Sequence, residues 1–256
     1  MERGARRPGT GSQPAPGHHP GASGREPLAR HAPGRSLLGK NLTTETRLKI
    51  TEIFGSIQGE SDLVGWPTVF VRLTGCPLRC RWCDTPYSFH GGQWQSFDEI
   101  HAAIQTIGHR RVCVTGGEPL AQKRCLDLLC FLCDQDLIVS LETSGALDVS
   151  AVDSRVIKVV DFKAPGSGEV GRNQWSNLDH LGPRDQIKLV LADRADFDWA
   201  LARIEQHELQ RWPVLLSPVW GELEPRILAE WLLESGAPAR LQLQLHKYLW
   251  GDRPGH

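Results

Sequence analysis

Residues 68–85 read Thr68-Val-Phe-Val-Arg-Leu73-Thr-Gly-Cys76-Pro-Leu-Arg-Cys80-Arg-Trp-Cys83-Asp-Thr85. A β-branched and aromatic run ends in a loop with a C-x3-C-x2-C spacing. The run has the composition of a strand. Three thiolates on one short loop can converge on a small metal cluster. A closed structural zinc site wants a fourth ligand at similar spacing, and Asp84 and His90 are poor substitutes for a second C-x2-C. A [4Fe–4S] cluster usually takes four cysteines. Three ligands leave one iron open to bind something else, which makes such a site reactive rather than merely electron-carrying. Unligated thiols seldom crowd a polar, Arg-rich loop.

Outward from this stretch, strand-like runs recur at Leu48–Phe54, Thr68–Leu73, Arg111–Thr115, Leu137–Glu142, Val156–Phe162, Gln186–Leu191, Val214–Ser217 and Leu241–His246. Helical patterns lie between several of them. Ser96-Phe-Asp-Glu99 is a capping-box pattern ahead of Ile100, Ala103, Ile104 and Ile107, which share a helical face. Pro119–Asp134, Asp196–His207 and Pro225–Glu234 also read as helices, the last with Gly236 past its end. Strands alternating with helices predict an α/β fold with a mainly parallel sheet, closed or partly closed. Ligands gather beyond the carboxyl ends of such strands.

The whole chain sets bounds on function. It has 256 residues, with 29 Lys and Arg against 30 Asp and Glu. That balance gives no electrostatic case for nucleic-acid or membrane-surface binding. No apolar run approaches the ~20 residues that span a bilayer. Residues 1–47 hold eight of the basic residues and three of the acidic ones, and are rich in Gly, Pro and Arg. They cannot bury enough apolar surface to offset ordering entropy, so a disordered tail is expected there, and one domain over 48–256. A start codon placed too far upstream would give the same tail. No secretory signal opens the chain, so its seven cysteines are expected in a reducing cytoplasm.

Two further motifs stand out. Thr115-Gly-Gly-Glu-Pro119 ends a strand, and two glycines there let the backbone approach a ligand without Cβ hindrance. Alone, the motif serves equally as a strand-to-helix turn with Glu118 favoured by the helix dipole. Arg72 lies within an apolar strand; it needs an anion, either a ligand carboxylate or an internal acid such as Glu60. Cys125-x4-Cys130-x2-Cys133 lies in a leucine-rich helical run, where Cys acts as a small hydrophobe. Cys113, inside a strand, reads the same way. In Leu241–His246 leucines alternate with Gln242, Gln244 and His246, so the polar face points either into a partial barrel or to solvent.

The cysteine spacing, with Trp82 before the last cysteine, resembles the signature of the radical S-adenosylmethionine superfamily, and Gly116-Gly-Glu-Pro119 resembles its GGEP motif. Gln58-Gly-Glu60, Arg72, Cys83-Asp-Thr85, Glu142-Thr-Ser-Gly145, Asp161-Phe-Lys163 and His246-Lys-Tyr248 narrow the likeness to the 7-carboxy-7-deazaguanine synthases of the deazapurine (queuosine) pathway. The likeness runs from about Leu48 to the C-terminus; residues 1–47 have no counterpart in it. It implies an incomplete (β/α) barrel and a homodimer. It implies a lyase that converts 6-carboxy-5,6,7,8-tetrahydropterin to 7-carboxy-7-deazaguanine by radical ring contraction, with loss of ammonia and cofactor used catalytically.

The roles implied by that resemblance are as follows. Cys76, Cys80 and Cys83 hold a [4Fe–4S] cluster, and its open iron chelates S-adenosylmethionine. Trp82, Gly117, Glu118, Ser144, Asp161, Lys163 and Ser217-Pro-Val-Trp220 contact that cofactor, Glu118 at its ammonium group. Ile57, Gln58, Gly59, Glu60, Arg72, Thr115, Glu142, His246 and Pro254 contact the pterin. Thr85 helps hold Mg2+, a hard cation that keeps several waters. An electron donor such as flavodoxin or ferredoxin is the expected protein partner. Two alternatives share parts of the pattern: a glycyl-radical-enzyme activase, and a non-catalytic iron–sulfur carrier or zinc scaffold.

Overall fold

The computed structural model describes residues 47–251, Arg253 and Gly255. Residues 1–46, which hold nearly all of the expected disordered tail, and Pro254 lie outside the described residues.

Nine strands form one sheet: β1 (Arg47–Ile57), β2 (Pro67–Leu73), β3 (Gln93–Ser96), β4 (Arg111–Gly116), β5 (Ile138–Thr143), β6 (Ile157–Lys163), β7 (Gln186–Leu191), β8 (Val214–Pro218) and β9 (Arg240–Leu241). Their order is β3-β1-β2-β4-β5-β6-β7-β8-β9. β1 runs antiparallel to both β2 and β3, and every pair from β2 to β9 is parallel. β3 and β9 end the sheet without meeting, so the barrel is incomplete, as expected.

The period-2 alternation of the strands sorts side chains between two sides. Val69, Val71 and Leu73 of β2, and Val112 and Val114 of β4, go into a core with helices α1 (Phe97–Ile107) and α2 (Cys125–Asp134). Ile187, Leu189 and Leu191 of β7, with Val160 and Phe162 of β6, pack a second cluster with α3 (Arg194–Gln206) and α4 (Pro225–Ser235). The residues between them, Phe70, Arg72, Thr115, Asp161, Lys163, Lys188 and Val190, face a common cavity instead. Full burial of each apolar side chain contributes about 1.5–3 kcal/mol, so a one-residue slip in any strand is strongly disfavoured.

The elements follow the sequence closely, with informative departures. α1 has the expected capping box: Ser96 Oγ accepts from the Glu99 N–H at 3.2 Å, and Glu99 Oε2 accepts from the Ser96 N–H at 2.6 Å. α4 ends at Gly236, whose φ of 61° is left-handed. α3 starts before Asp196, because the Asp193 side chain caps it by accepting from the Asp196 N–H. The single helix expected over Pro119–Asp134 is a 3-10 turn, Pro119–Ala121, followed by α2. Cys125 and Cys133 are buried on α2 and Cys113 on β4, in structural positions. β3 was not anticipated: a four-residue edge strand is too short to show a period.

The expected strand Leu241–His246 is corrected. Only Arg240–Leu241 pairs with β8, and Leu245–Trp250 is a short helix, α5. After Gln242, whose N–H donates to Leu216 O, the backbone leaves the ladder, and the Leu245 N–H donates to Gly59 O. The leucine–glutamine alternation imitates a strand, but the chain here crosses to the far side of the sheet, toward the segment after β1.

Candidate active site

The cavity, about 520 Å3, opens at the carboxyl ends of the parallel strands. One side is the cysteine loop that follows β2. Cys76, Cys80 and Cys83 all line the cavity, all are partly buried, and none is in a disulfide. Backbone hydrogen bonds pin this loop. The Gly75 N–H donates to Ser88 O at 2.8 Å, the Glu118 N–H to Gly75 O at 2.8 Å, and the Arg81 N–H to Ser167 O at 2.9 Å. The end of β4 packs against the loop so closely that a Cβ on Gly117 would sit 2.5 Å from Gly75 O and 2.6 Å from Cys76 Cβ. Gly117 is therefore required for close approach rather than for a turn.

Burial pushes the Cys76 thiol up, and pushes Cys80 up to about 11 although Lys163 works against it. Lys163 Nζ pairs with Asp161 Oδ2 at 3.0 Å. Burial opposes the Lys163 cation, but Asp161 and Cys80 outweigh it and hold its pKa above the ordinary value. Asp161 Oδ1 is buried without a hydrogen-bond partner among the described residues, on the wall of the same cavity.

The other side of the cavity is a wall of fixed charges. Arg72 Nε bonds Glu52 Oε1 at 2.7 Å, a cross-strand pair set by the β1–β2 register. The Tyr87 hydroxyl donates to the same oxygen at 2.9 Å. Burial, then the hydrogen bond to Glu52, pushes that phenol up to about 12 against the pull of Arg72. Glu142 accepts from Thr115 Oγ1 at 3.0 Å and from Gln58 Nε2 at 3.4 Å. Glu60 accepts from Lys188 Nζ, and from Gln244 Nε2 at 2.8 Å. Burial opposes its charge, but Lys188 more than compensates and holds the Glu60 carboxyl below the usual range. Lys247 Nζ lies 3.2 Å from Asp84 Oδ2. His246, whose pKa burial lowers, caps this side over Gly59.

Most expected site residues meet here. Ile57, Glu60, Arg72, Trp82, Thr85, Thr115, Gly117, Glu142, Ser144, Asp161, Lys163, Val219, Trp220 and His246 line the cavity with the three cysteines. Gln58, Gly59, Glu118, Ser217 and Pro218 lie behind its wall. Glu118 is wholly buried. It accepts from the Leu120 N–H, Thr143 Oγ1, and the Ser144 N–H and hydroxyl; the backbone of Gly116 and Gly117 reaches the cavity in its place. Ser217 Oγ donates to Gln242 O and supports the start of the crossing segment. Arg72 takes the internal acid of the two anions considered, with Glu52 rather than Glu60 as the partner.

Sequence reasoning missed Glu52, Tyr87 and Lys188, and named Asp84, Gln244 and Lys247 without giving them a role. Lys188 carried a usable signal: a lysine inside the apolar strand Ile187-Lys-Leu-Val-Leu191 is the same anomaly that singled out Arg72.

The donor set suits an iron–sulfur cluster. Among the described residues no three His, Cys, Asp or Glu side chains are placed to hold a single metal ion. A mononuclear zinc site needs that convergence; a cluster offering each thiolate a different iron does not.

Comparison with known proteins agrees with this arrangement. The sequence profile of the radical SAM superfamily matches residues 70–159. A 7-carboxy-7-deazaguanine synthase from Chlorobaculum tepidum is 46% identical over 213 residues, 82% of this chain and 97% of that one. Another from Koribacter versatilis is 42% identical over 223 residues, 79% of this chain and 97% of that one. The crystal structure of QueE from Escherichia coli superposes with a TM-score of 0.63 at 25% identity, covering 78% of this chain and 95% of that one.

Proposed function

The chain belongs to the 7-carboxy-7-deazaguanine synthase family of the radical SAM superfamily, and from that membership we propose that it converts 6-carboxy-5,6,7,8-tetrahydropterin to 7-carboxy-7-deazaguanine with loss of ammonia. It is a lyase of deazapurine biosynthesis. The observation that carries this reading is that the cysteine loop and a wall of fixed charges open into one cavity.

When bound, a [4Fe–4S] cluster and S-adenosylmethionine supply the radical chemistry that no side chain here can perform. Cys76, Cys80 and Cys83 hold the cluster. Gly116 and Gly117 admit the cofactor against bare backbone. Asp161, with one oxygen on Lys163 and the other unpartnered, is the acceptor for a cofactor N–H or O–H. Trp82, Val219 and Trp220 supply the apolar walls normal for such a pocket, and Ser144 closes the β5 side.

Arg72 meets the substrate carboxylate. Its pair with Glu52 uses Nε, so the rest of the guanidinium fork remains for an incoming anion. Glu142, steadied by Thr115 and Gln58, and Glu60 accept from the N–H groups of the pterin. Thr85 holds Mg2+. Ile57, Gly59 and His246 close the pocket beside the ring, with Pro254 as an expected further contact. The enzyme works in the cytoplasm as a homodimer and draws its electron from a flavodoxin or ferredoxin. No helix among the described residues is long and apolar enough to cross a membrane.

Neither alternative gains an observation. An activase of the expected kind would draw a second cluster set from Cys125, Cys130 and Cys133, but these sit on α2, two of them in its buried face. An electron carrier has no use for two acids and an arginine held on a cavity wall. Substrate choice is the test. The reconstituted enzyme is expected to turn over the 6-carboxy pterin and leave the 6-hydroxymethyl analogue untouched. Equal turnover of the two would remove the role given to Arg72.

A further inference from the structure

Lys188 is a largely buried cation of the cavity, its side chain 12% exposed, to which neither the motifs nor the roles above assign a task. It lies mid-strand on β7, in register with Asp161 of β6. Asp161 gives its Oδ2 to Lys163, and the Lys188 ammonium reaches Glu60 instead. Glu60 belongs to the segment after β1, and β1 lies five places from β7 in the sheet order. Its second oxygen takes the amide of Gln244, the residue that caps α5. One carboxylate thus ties three parts of the chain distant in sequence, and both of its oxygens are anchored while the residue still lines the cavity.

A carboxylate has about four lone-pair sites, and these two anchors use two of them. The remaining pair is left for donors from the cavity that Glu60 lines. A group so oriented suits a planar edge with neighbouring N–H donors, the amidine-like edge of an aminopyrimidinone. A free glutamate rotates and is hydrated. A clamped one is set before the ligand arrives, and preorganisation of this kind raises affinity by lowering ordering costs.

We propose that Lys188 is a positioning residue for substrate recognition: with Gln244 it clamps the Glu60 carboxylate so that its free lone pairs accept the N–H edge of the heterocycle. This rests on the pterin reading above and assigns specificity to a residue outside the family's motifs. The surroundings of the pair are fully charged. His246 at the start of α5 adds positive potential to Glu60, and Glu142 on β5 and Asp161 on β6 face Lys188 with the opposite sign. Lys163, Asp84, Arg72 and Lys247 also line the cavity.

The test compares reconstituted wild type with Lys188→Met, Lys188→Arg, Glu60→Gln and the double Lys188→Met/Glu60→Gln variant, measuring product formation against pterin concentration and pH. Breaking one side of a buried charge pair is costly, so Lys188→Met is expected to raise KM by about 10- to 100-fold with a smaller change in kcat. It leaves Glu60 buried without its compensating cation, so the acid limb of kcat/KM moves to higher pH. Lys188→Arg keeps the charge but not the reach: KM rises while the acid limb stays. The double variant carries no unpaired charge and is expected to match Glu60→Gln alone, so it decides the matter even where Lys188→Met misfolds. Wild-type KM and an unmoved acid limb in Lys188→Met, or a double variant whose losses are the product of the single ones, would overturn the proposal. Wild type that makes no deazaguanine would instead overturn the pterin reading on which it rests.

Discussion

At the residue scale, steric and charge constraints pull against free choice at a few positions. A Cβ on Gly59 would lie 2.1 Å from His246 Nδ1 and 2.8 Å from the His246 backbone nitrogen. The ring can turn aside; the backbone cannot do so without moving the start of α5. Gly59→Ala is therefore expected to cost about 1–3 kcal/mol in stability, as overpacking does, and to raise KM more than it lowers kcat. A variant with unchanged KM would separate α5 from substrate closure. Asp153 gives a pH-dependent case. Hydrogen bonds from Arg155, at 3.0 and 2.7 Å, hold its carboxyl at about 2 against burial. A depressed folded-state pKa contributes stability above the unfolded value of about 3.9 and loses it as pH falls through the folded one. Solvent screens this partly exposed pair to no more than about 1 kcal/mol. Denaturation of Asp153→Asn should show that deficit at pH 6 and only a small part of it near pH 2; an equal deficit at both would assign the loss to packing. At this scale residue type was legible and partnership was not. The sequence showed that Arg72 needed an anion, but Glu52 became that partner only through the β1–β2 register.

At the element scale, local chemistry was the most legible signal. The capping box of α1 forms as read, because Ser96 and Glu99 satisfy each other's backbone N–H groups without help from the rest of the fold. Ser96→Ala should cost about 1 kcal/mol and lower Tm by about 2–4 °C for a chain of this size. An unchanged Tm would mean that Ile100 and Ile104, buried against the sheet, hold the helix alone. Signals failed where the chain changes partners. Leu241–His246 has a strand's alternation, yet the Leu245 N–H bonds Gly59 O instead of a neighbouring strand. Alternation records which side chains prefer burial, not whether a ladder exists to receive the backbone. Pro119–Asp134 broke for a different reason: Gln122 turns inward, and its amide donates to Lys49 O and Thr74 O, which holds the segment ahead of α2 to the sheet.

At the scale of the whole molecule, the open parallel sheet explains why the three cysteines and the wall of charges share one cavity. Strand alternation sends valines and leucines to the helices and leaves Arg72, Thr115, Asp161, Lys163 and Lys188 on the other side. The carboxyl ends bring the cysteine loop, the Gly116-Gly117 strand end and the α5 cap to the same mouth. The central claim is that Cys76, Cys80 and Cys83 hold the cluster that drives deazaguanine formation on that charged wall. The most direct measurement reconstitutes wild type and Cys80→Ala anaerobically with iron and sulfide. Each is given dithionite, S-adenosylmethionine, Mg2+ and 6-carboxytetrahydropterin, and products are followed by mass spectrometry. The predicted result is 7-carboxy-7-deazaguanine from wild type and none from Cys80→Ala. Cofactor cleavage without deazaguanine in wild type, or equal product from the variant, would contradict it.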